Sequence, residues 1–273
     1  TAYNTGTYTA AISFYVNSSQ TKIASIDGSL GAIFGTLSSG TQKQPRFYGT
    51  FSDASNMTGS IPENLFAGIS GAPASYMFAS TFEGCSGLTG AIPAGLFGNL
   101  TGAPANYMFY QTFRGCSGLT GAIPDGLFGN LSGAPAGSMF GSTFYGCSGL
   151  TGAIPDGLFA GISGAPAVSM FDSTFYGCSG LTSIPENLFG NISGLLYKDS
   201  LFAMFAGCTS LTGPSARING QYLYEIWPDV YFSDAAGSYA IGPYYQCTGL
   251  SDYNQIPHNW KEYVDNTGGA GGQ

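Results

Sequence analysis

Six cysteines are the residues of this sequence whose chemistry needs explaining first. They share one position of a repeated phrase. The spacing is 31 residues between the four copies that contain Cys85, Cys116, Cys147 and Cys178, and two less regular copies contain Cys208 and Cys247. In a secreted chain an even number of cysteines usually indicates disulfides. However, the first copy carries Ala54 at this position, and exchange of Cys with Ala is typical of a small buried apolar position. The pattern favours a ladder of buried thiols, with cross-repeat disulfides as the alternative and metal binding as the least favoured.

No motif typical of a catalytic site is present. The single histidine, His258, follows Pro257 and has no carboxylate partner in a recognisable motif. The glycines recur with the repeat, as turn residues do, and do not form a phosphate-binding loop. We therefore predict that the protein is not an enzyme and uses neither a cofactor nor a metal.

Two polar columns could bind a ligand. Carboxylates follow a proline in four repeats, at Glu63, Asp125, Asp156 and Glu186, and stacked carboxylates can bind Ca²⁺. Ala94 interrupts this column, and acids are also favoured in the first turn of a helix, which is the interpretation we prefer. The second column consists of threonines and is either a plain polar ladder or a flat array that binds ice or carries O-glycans. Its members are Thr58, Thr89, Thr120, Thr151, Thr182 and Thr212.

Five Asn-x-Ser/Thr sequons are possible N-glycosylation sites: Asn17, Asn56, Asn99, Asn130 and Asn191. The last three occupy a repeat position that is Gly68 in the first repeat and Gly161 in the fourth. Because Asn and Gly tolerate positive φ better than other residues, this exchange predicts a left-handed turn. Such a turn explains the asparagines without a glycan, so both interpretations stay open.

Composition and charge narrow the class of protein. The net charge is −8 with only seven Lys and Arg residues, which argues against nucleic acid and anionic membrane surfaces as partners. No apolar run approaches the length of a membrane span. Three features favour an extracellular or cell-surface location. They are the low charged fraction of 8%, the sequons, and a start at Thr1, which removal of a signal peptide would leave.

The repeats that position these columns occupy residues 47–212. Pro73 is expected to begin a helix in the second repeat, because Ala74, Phe78, Phe82 and Cys85 fall on one helical stripe. Leu88–Ile92 predicts a short strand that pairs in parallel with the same segment of the next repeat. Since one repeat cannot bury its apolar faces alone, the predicted fold is an α/β solenoid of about six to seven coils.

The phrases MFYQTFRGCSGLT at 108–120 and SIPENLF at 183–189 resemble the BspA-type leucine-rich repeats of bacterial surface proteins. The resemblance covers about 47–212 and recurs at 247–257. It implies a leucine-rich-repeat solenoid, a secreted or cell-surface location, and adhesion among the possible roles. The period of 31 and the uniform Gly-Ala-Pro-Ala segments depart from the family pattern.

The N-terminal segment, residues 1–46, is rich in β-branched and aromatic residues. Thr7–Val16, Lys22–Ile26 and Leu30–Leu37 are predicted strands. The segment either caps the first repeat or provides a strand that pairs with another subunit. In the second case the interface candidates are Tyr8, Ile12 and Phe14.

The C-terminal segment, residues 213–267, is predicted to be a cap that includes a degenerate last repeat, and 268–273 is a Gly-rich tail. Asn219-Gly220 predicts a hairpin and 258–264 a short helix. The aromatic residues of this segment either cover the last repeat, stack on sugars, or receive a neighbouring subunit. They are Tyr222, Tyr224, Trp227, Tyr231, Tyr244, Tyr245 and Trp260.

The exposed strand positions read Thr-Gly-Ala in most repeats, and variation is confined to positions such as Glu83, Arg114, Tyr145 and Tyr176. A monotonous surface suits a uniform rod better than recognition of one partner. We therefore expect a non-enzymatic extracellular structural protein, a homo-oligomer that forms an open filament by donating the strand of residues 1–17 to the next subunit. The alternative is a monomeric adhesin or carbohydrate-binding protein that uses the C-terminal aromatics.

Overall fold

A computed structural model describes residues 24–30, 45–194, 196–197, 199–234 and 238–265. Within these ranges most of the chain forms hydrogen-bonded turns, and the regular elements are short. The strands are β1 (Thr101–Gly102), β2 (Asn130–Leu131), β3 (Gly152–Ala153), β4 (Phe159–Gly164), β5 (Leu181–Ser183), β6 (Phe189–Ile192), β7 (Arg217–Ile218), β8 (Gln221–Tyr222), β9 (Tyr239–Ile241) and β10 (Tyr263–Asp265). The helices are α1 (Leu223–Ile226) and a 3₁₀ helix (His258–Trp260).

The segment that leads to each cysteine, the turn segment, is not a helix. In the second repeat it spans 77–85, and its backbone donors alternate between two kinds of acceptor. The N–H groups of Phe78, Ser80 and Phe82 donate at 2.8 Å to carbonyls of the next repeat. The intervening N–H groups donate to the carbonyl three residues earlier in the same repeat. Since half of the donors bond the neighbouring repeat, i→i−4 helical bonds cannot form, and the helix predicted from Pro73 is wrong.

The turn segment keeps the burial that the helical stripe predicted. Phe78, Phe82 and Cys85 are fully buried. A left-handed residue recurs at every fourth position, at Tyr76 (φ 59°), Ser80 (φ 51°) and Gly84 (φ 71°). This four-residue period returns the chain to the same face after each turn, as a helix of 3.6 residues per turn nearly does. The sequence pattern is therefore compatible with both structures.

Consecutive repeats also pair in parallel through their strand segments. Bridges join Gly59 to Leu88, Gly90 to Leu119, and Gly121 to Leu150, and β3 pairs with β5 in the same way. The parallel pairing predicted for 88–92 is confirmed, but there it consists of isolated bridges, and only β3 and β5 form strands, of two and three residues. A second parallel ladder, behind the Pro turns, contains the pairs β1–β2 and β4–β6.

The close approach of the repeats requires glycine two residues after the cysteine in the second to fifth repeats. A Cβ built on Gly118 would lie 2.4 Å from the carbonyl oxygen of Leu88 in the preceding repeat. Gly149 and Gly180 occupy the same position, with corresponding distances of 2.3 and 2.4 Å. These glycines do not have positive φ, so the requirement is steric contact with a neighbouring backbone rather than a left-handed conformation.

Columns of stacked rings fill the core. The longest runs through six phenylalanines and ends on Tyr244, with successive ring centroids 5.4 to 5.7 Å apart. It comprises Phe51, Phe82, Phe113, Phe144, Phe175 and Phe205. Two further columns begin at Phe47 and Phe66 and interleave with each other, with centroids 4.5 to 4.9 Å apart. Each ring thus packs against rings of adjacent repeats, and no repeat has a core of its own.

The described part of the N-terminal segment lies against the first repeat. The Thr58 N–H donates to the Ala24 carbonyl at 2.9 Å, and the Leu30 N–H donates to the Leu65 carbonyl at 2.7 Å. Ile26 and Leu30 pack on the core, as expected of a cap. Residues 24–26 are not in a strand, so that part of the strand predicted at 22–26 is wrong. The strand predicted at 7–16, most of that at 30–37, and Tyr8, Ile12 and Phe14 lie outside the described residues.

The C-terminal segment closes the other end of the stack. The predicted hairpin is confirmed: β7 and β8 are antiparallel, with positive φ at Asn219 and Gly220. The short helix predicted at 258–264 is only partly present, because a 3₁₀ helix covers its first three residues and β10 its end. β10 pairs in antiparallel fashion with β9.

Candidate functional site: buried ladders and an exposed tyrosine surface

The six cysteines form a ladder of free, buried thiols, as the exchange with Ala54 predicted. Each Sγ–H donates to the carbonyl of a phenylalanine in the preceding repeat. The Sγ–O distances are 3.0 Å from Cys85 to Phe51, 2.9 Å from Cys116 to Phe82, and 3.0 Å in the four later repeats. The thiols therefore join adjacent repeats by hydrogen bonds rather than by disulfides.

Burial makes these thiols poor nucleophiles. Loss of hydration raises the pKa of Cys85 and of Cys247 from 9.0 to about 12. The pKa values of the four central thiols lie well above 9.0 for the same reason, and their neighbouring thiols raise them further. Because the thiolate is the reactive form, this column does not provide a catalytic or redox-active cysteine in the folded protein.

A second buried ladder consists of threonines that precede the second phenylalanine of the turn segment: Thr81, Thr112, Thr143 and Thr174. The Oγ1 hydroxyl of each lies 2.9 to 3.0 Å from a phenylalanine carbonyl of the preceding repeat. Sequence analysis missed these residues, although their recurrence every 31 positions was a visible signal. The threonine column that it identified, at 58–212, is exposed instead.

One buried carboxylate, Asp252, organises the C-terminal cap. It accepts hydrogen bonds from the Ser215 N–H at 2.9 Å, the Ser215 hydroxyl at 2.6 Å and the Tyr224 hydroxyl at 3.1 Å. Three donors satisfy a buried charge, which would otherwise be very costly. The Tyr244 hydroxyl in turn accepts from the Ala216 N–H at 3.1 Å. Burial and the nearby Asp252 raise the pKa values of Tyr224 and Tyr244, so both phenols stay protonated and serve the structure.

Most aromatic residues proposed as a ligand or subunit surface lie inside the cap. Tyr244 and Trp260 are fully buried, and Tyr224 and Trp227 are at most 9% exposed. Trp260 ends the longest ring column, with its centroid 6.1 Å from that of Tyr244. These four rings offer no free face to a sugar or a neighbour, because covering the last repeat already uses them. Tyr222 and Tyr245 are half-buried and Tyr231 is 52% exposed.

Further accessible aromatic residues lie on the outside of the turn segments and the cap. We call this set the tyrosine surface; it comprises Tyr76, Tyr107, Tyr110, Tyr145, Tyr176, Tyr245 and Tyr263. The rings of Tyr76 and Tyr107 stack with centroids 4.7 Å apart, and those of Tyr145 and Tyr176 stack at 4.6 Å. Two of its members, Tyr145 and Tyr176, were noted in the sequence as variable positions.

A charged pair continues the tyrosine surface toward the first repeats. The Arg114 guanidinium lies 5.0 Å from the ring centroid of Tyr145 and 3.1 Å from the carboxylate of Glu83. Tyr176 covers one face of the Tyr145 ring and Arg114 contacts the other. The tyrosine surface therefore presents ring edges and hydroxyl groups, which suits polar contacts better than stacking of a sugar on an open ring face.

The sequons are exposed at Asn56, Asn99, Asn130 and Asn191, while Asn17 lies outside the described residues. A left-handed turn was predicted for the repeat position that Gly68 shares with three of these asparagines. Gly68 has φ 88°, but Asn99, Asn130 and Asn191 do not have positive φ, so the prediction is wrong for the asparagines. Asn130 and Asn191 belong instead to the parallel strands β2 and β6. The turn requirement therefore no longer accounts for these asparagines.

The acidic column at 63, 125, 156 and 186 is exposed and lies on turns, so the helix starts that we expected there are wrong. Among the described residues, no three His, Cys, Asp or Glu side chains lie close enough together to hold a metal ion. The exposed ring of His258 contacts the carboxylate of Glu262 on the surface of the cap. Neither of the two helices within the described ranges has the length and apolarity needed to cross a bilayer.

No protein-family model, curated protein or solved structure matches the chain. The resemblance to BspA-type repeats therefore rests on the quoted motifs and stays a prediction.

Proposed function

We propose that the chain is a non-enzymatic, extracellular structural protein with a leucine-rich-repeat-like solenoid, and that its copies assemble end to end into a filament. One observation supports this proposal most directly. Six buried thiols and four buried threonine hydroxyls lie within hydrogen-bonding distance of a backbone carbonyl of the preceding repeat, and two of the threonines also of a carbonyl of their own repeat. Their chemistry holds the stack together and is not directed at a substrate.

The burial of the thiols is compatible with an extracellular location. Free cysteines are a liability under oxidising conditions when they are exposed and ionised. Here all six are buried, and burial raises their pKa values. A chain with this ladder can keep its thiols reduced outside the cell without disulfides.

Electron microscopy of negatively stained native protein, together with sedimentation over a range of concentrations, tests the assembly. We expect filaments from the full chain and monomers from a variant that lacks residues 1–17. A Tyr145→Ser variant is the matched control, because it alters the side of the stack and leaves the N-terminal segment unchanged. Only monomers from the full chain would refute the filament. Filaments that persist without residues 1–17 would refute strand donation as the joint.

The monomeric adhesin remains the second candidate, favoured by the exposed tyrosine surface. The buried cap aromatics cannot serve it, so its binding site would have to lie on the side of the stack. Loss of surface attachment in the Tyr145→Ser variant, with the deletion variant attaching normally, would favour the adhesin over the filament.

A further inference from the structure

A groove of about 340 Å³ lies on the surface between the first two repeats, where their Pro turns meet. Glu63 and Asn64 of the first repeat line one wall, and Asn99 of the second repeat lines another. Ala67, Pro93, Ala94 and Gly95 form the rest of the lining. The volume falls near the lower end of the roughly 300–1,000 Å³ that is usual for small-molecule sites.

At the equivalent position between the fourth and fifth repeats, side chains bridge the gap between the turns. There, the Asn187 side chain donates to the Asp156 carboxylate of the preceding repeat at 3.4 Å and bridges the two turns. Asp156 occupies the repeat position of Glu63, and Asn187 occupies that of Gly95. Because Gly95 has no side chain, the Glu63 carboxylate has no matching amide across the gap.

The lining of the groove selects the chemistry of its occupant. It contains a carboxylate and two amides but no cationic side chain, so it does not suit an anion. A single carboxylate is a poor match for Ca²⁺, which takes six to eight oxygen ligands. Hydroxyl groups both donate and accept hydrogen bonds, and therefore match the carboxylate and both ends of each amide. Ala67 and Ala94, both exposed, add apolar surface that suits the C–H groups of a sugar ring.

We propose that this groove binds a neutral carbohydrate of one or two sugar units, held by Glu63, Asn64 and Asn99. The open shape and the small number of polar groups set a weak affinity, with a Kd on the order of 1 mM. This inference does not rest on filament assembly, since the groove lies on the side of the first two repeats and is complete within one chain.

Titration of monomeric ¹⁵N-labelled protein with cellobiose, N,N′-diacetylchitobiose and methyl α-mannoside, followed by NMR, tests the site. We expect at least one of these probes to shift the backbone amide signals of Gly95 and Asn99 with saturation. The Gly95→Asn variant restores the amide that bridges the later repeats. A Cβ at Gly95 meets nothing within 4 Å and its φ is not positive, so the substitution causes no strain.

Gly95→Asn should weaken binding at least about tenfold because the new amide occupies the groove and bonds Glu63. Gly137→Asn is the matched control: it lies outside the groove, the second repeat carries Asn106 at the same position, and a Cβ there would come no closer than 3.5 Å to its neighbours. The control should bind like the natural chain. The proposal is overturned if none of the three sugars shifts these signals, if Gly95→Asn binds them equally well, or if CaCl₂ alone saturates the same signals at millimolar concentration.

Discussion

The buried thiol ladder should make the protein unusually sensitive to mild alkali. In the folded chain Cys85 and Cys247 keep their protons up to a pKa of about 12, and the four central thiols have pKa values well above 9.0. In the unfolded chain each thiol ionises near pH 9.0. Between these values the unfolded state releases protons that the folded state retains, so the free energy of unfolding falls as the pH rises.

The size of the effect follows from the two pKa values. Raising the pH from 8.0 to 9.5 should lower the free energy of unfolding by about 0.8 kcal/mol for each buried thiol. Six such thiols therefore contribute about 5 kcal/mol. A typical domain is stable by only about 5–15 kcal/mol, so this loss is a large fraction of the total. At pH 9.5 tyrosines whose pKa values burial also raises, such as Tyr224 and Tyr244, add only about 0.2 kcal/mol each.

Urea denaturation at pH 8.0 and 9.5, in the presence of a reductant, measures this loss. The matched variant carries both Cys147→Ala and Cys178→Ala, substitutions that the natural Ala54 at the same position makes acceptable. The variant will be less stable at both pH values, so the informative quantity is the difference between them. It should shrink by about a third, to about 3 kcal/mol, because two of the six thiols are gone.

Two results would refute this reasoning. One is a pH-dependent loss below about 1 kcal/mol in the natural chain, which would mean that the thiols ionise as easily when folded as when unfolded. The other is an equal loss in the double variant, which would assign the alkaline sensitivity to other groups.

Three further predictions concern packing and can be measured by urea denaturation at pH 7. Thr143→Val should cost about 1 kcal/mol, because it removes a buried hydroxyl that lies 2.9 Å from a carbonyl of the preceding repeat and 2.8 Å from one of its own repeat. Thr151→Val, on the exposed column, should stay within about 0.5 kcal/mol, and equal effects would contradict the buried ladder. Gly118→Ala should cost about 1–3 kcal/mol by collision with a neighbouring carbonyl, and Gly95→Ala should be nearly neutral. Trp260→Ala should cost about 3–5 kcal/mol, and a smaller loss would mean that the cap does not seal the ring column.

The sequence predicted which side chains are buried better than it predicted the backbone that buries them. Phe78, Phe82 and Cys85 were expected on one inward stripe, and all three are buried. Their spacing could not distinguish a helix from turns of four residues, because both return to the same face. The deciding interaction is the donation of alternate N–H groups to the next repeat, and the periodicity within one repeat carries no information about it.

Local turn chemistry was readable where it depends on a few adjacent residues. Asn219-Gly220 predicted the hairpin, because two left-handed residues in succession favour this pair. The same reasoning failed for Asn99 and its equivalents, where Asn exchanges with Gly for other reasons. A Cβ on Gly161, for example, would lie 1.9 Å from a carbonyl of the preceding repeat. Single-sequence analysis cannot separate a steric requirement for glycine from a conformational one.

The candidate sites were the least predictable part of the molecule. Aromatic residues concentrated in the C-terminal segment suggested a binding surface, but Tyr244 and Trp260 are buried where the cap covers the end of the core. The carbohydrate groove arises where a repeat lacks a side chain, at Gly95, and the neighbouring repeat has one, at Glu63. Composition and motifs do not predict such a gap, because it becomes visible only when adjacent repeats are aligned side by side.

The direction of the backbone bonds in the turn segments gives the stack an electrical and chemical polarity. In the turn segments, the N–H groups that bond the next repeat, such as that of Phe82, all point toward the C-terminal end, so their dipoles add. Bonds between strand segments, such as that from the Thr89 N–H to the Gly59 carbonyl, point the other way and cancel only part of the sum. The last donors, on Gly242 and Tyr244, receive the carbonyls of Glu262 and Trp260. The C-terminal cap thus supplies acceptors for the donors that the turn segments leave at this end. Two such ends cannot continue this ladder by meeting each other, so copies that extend the stack must all point in the same direction.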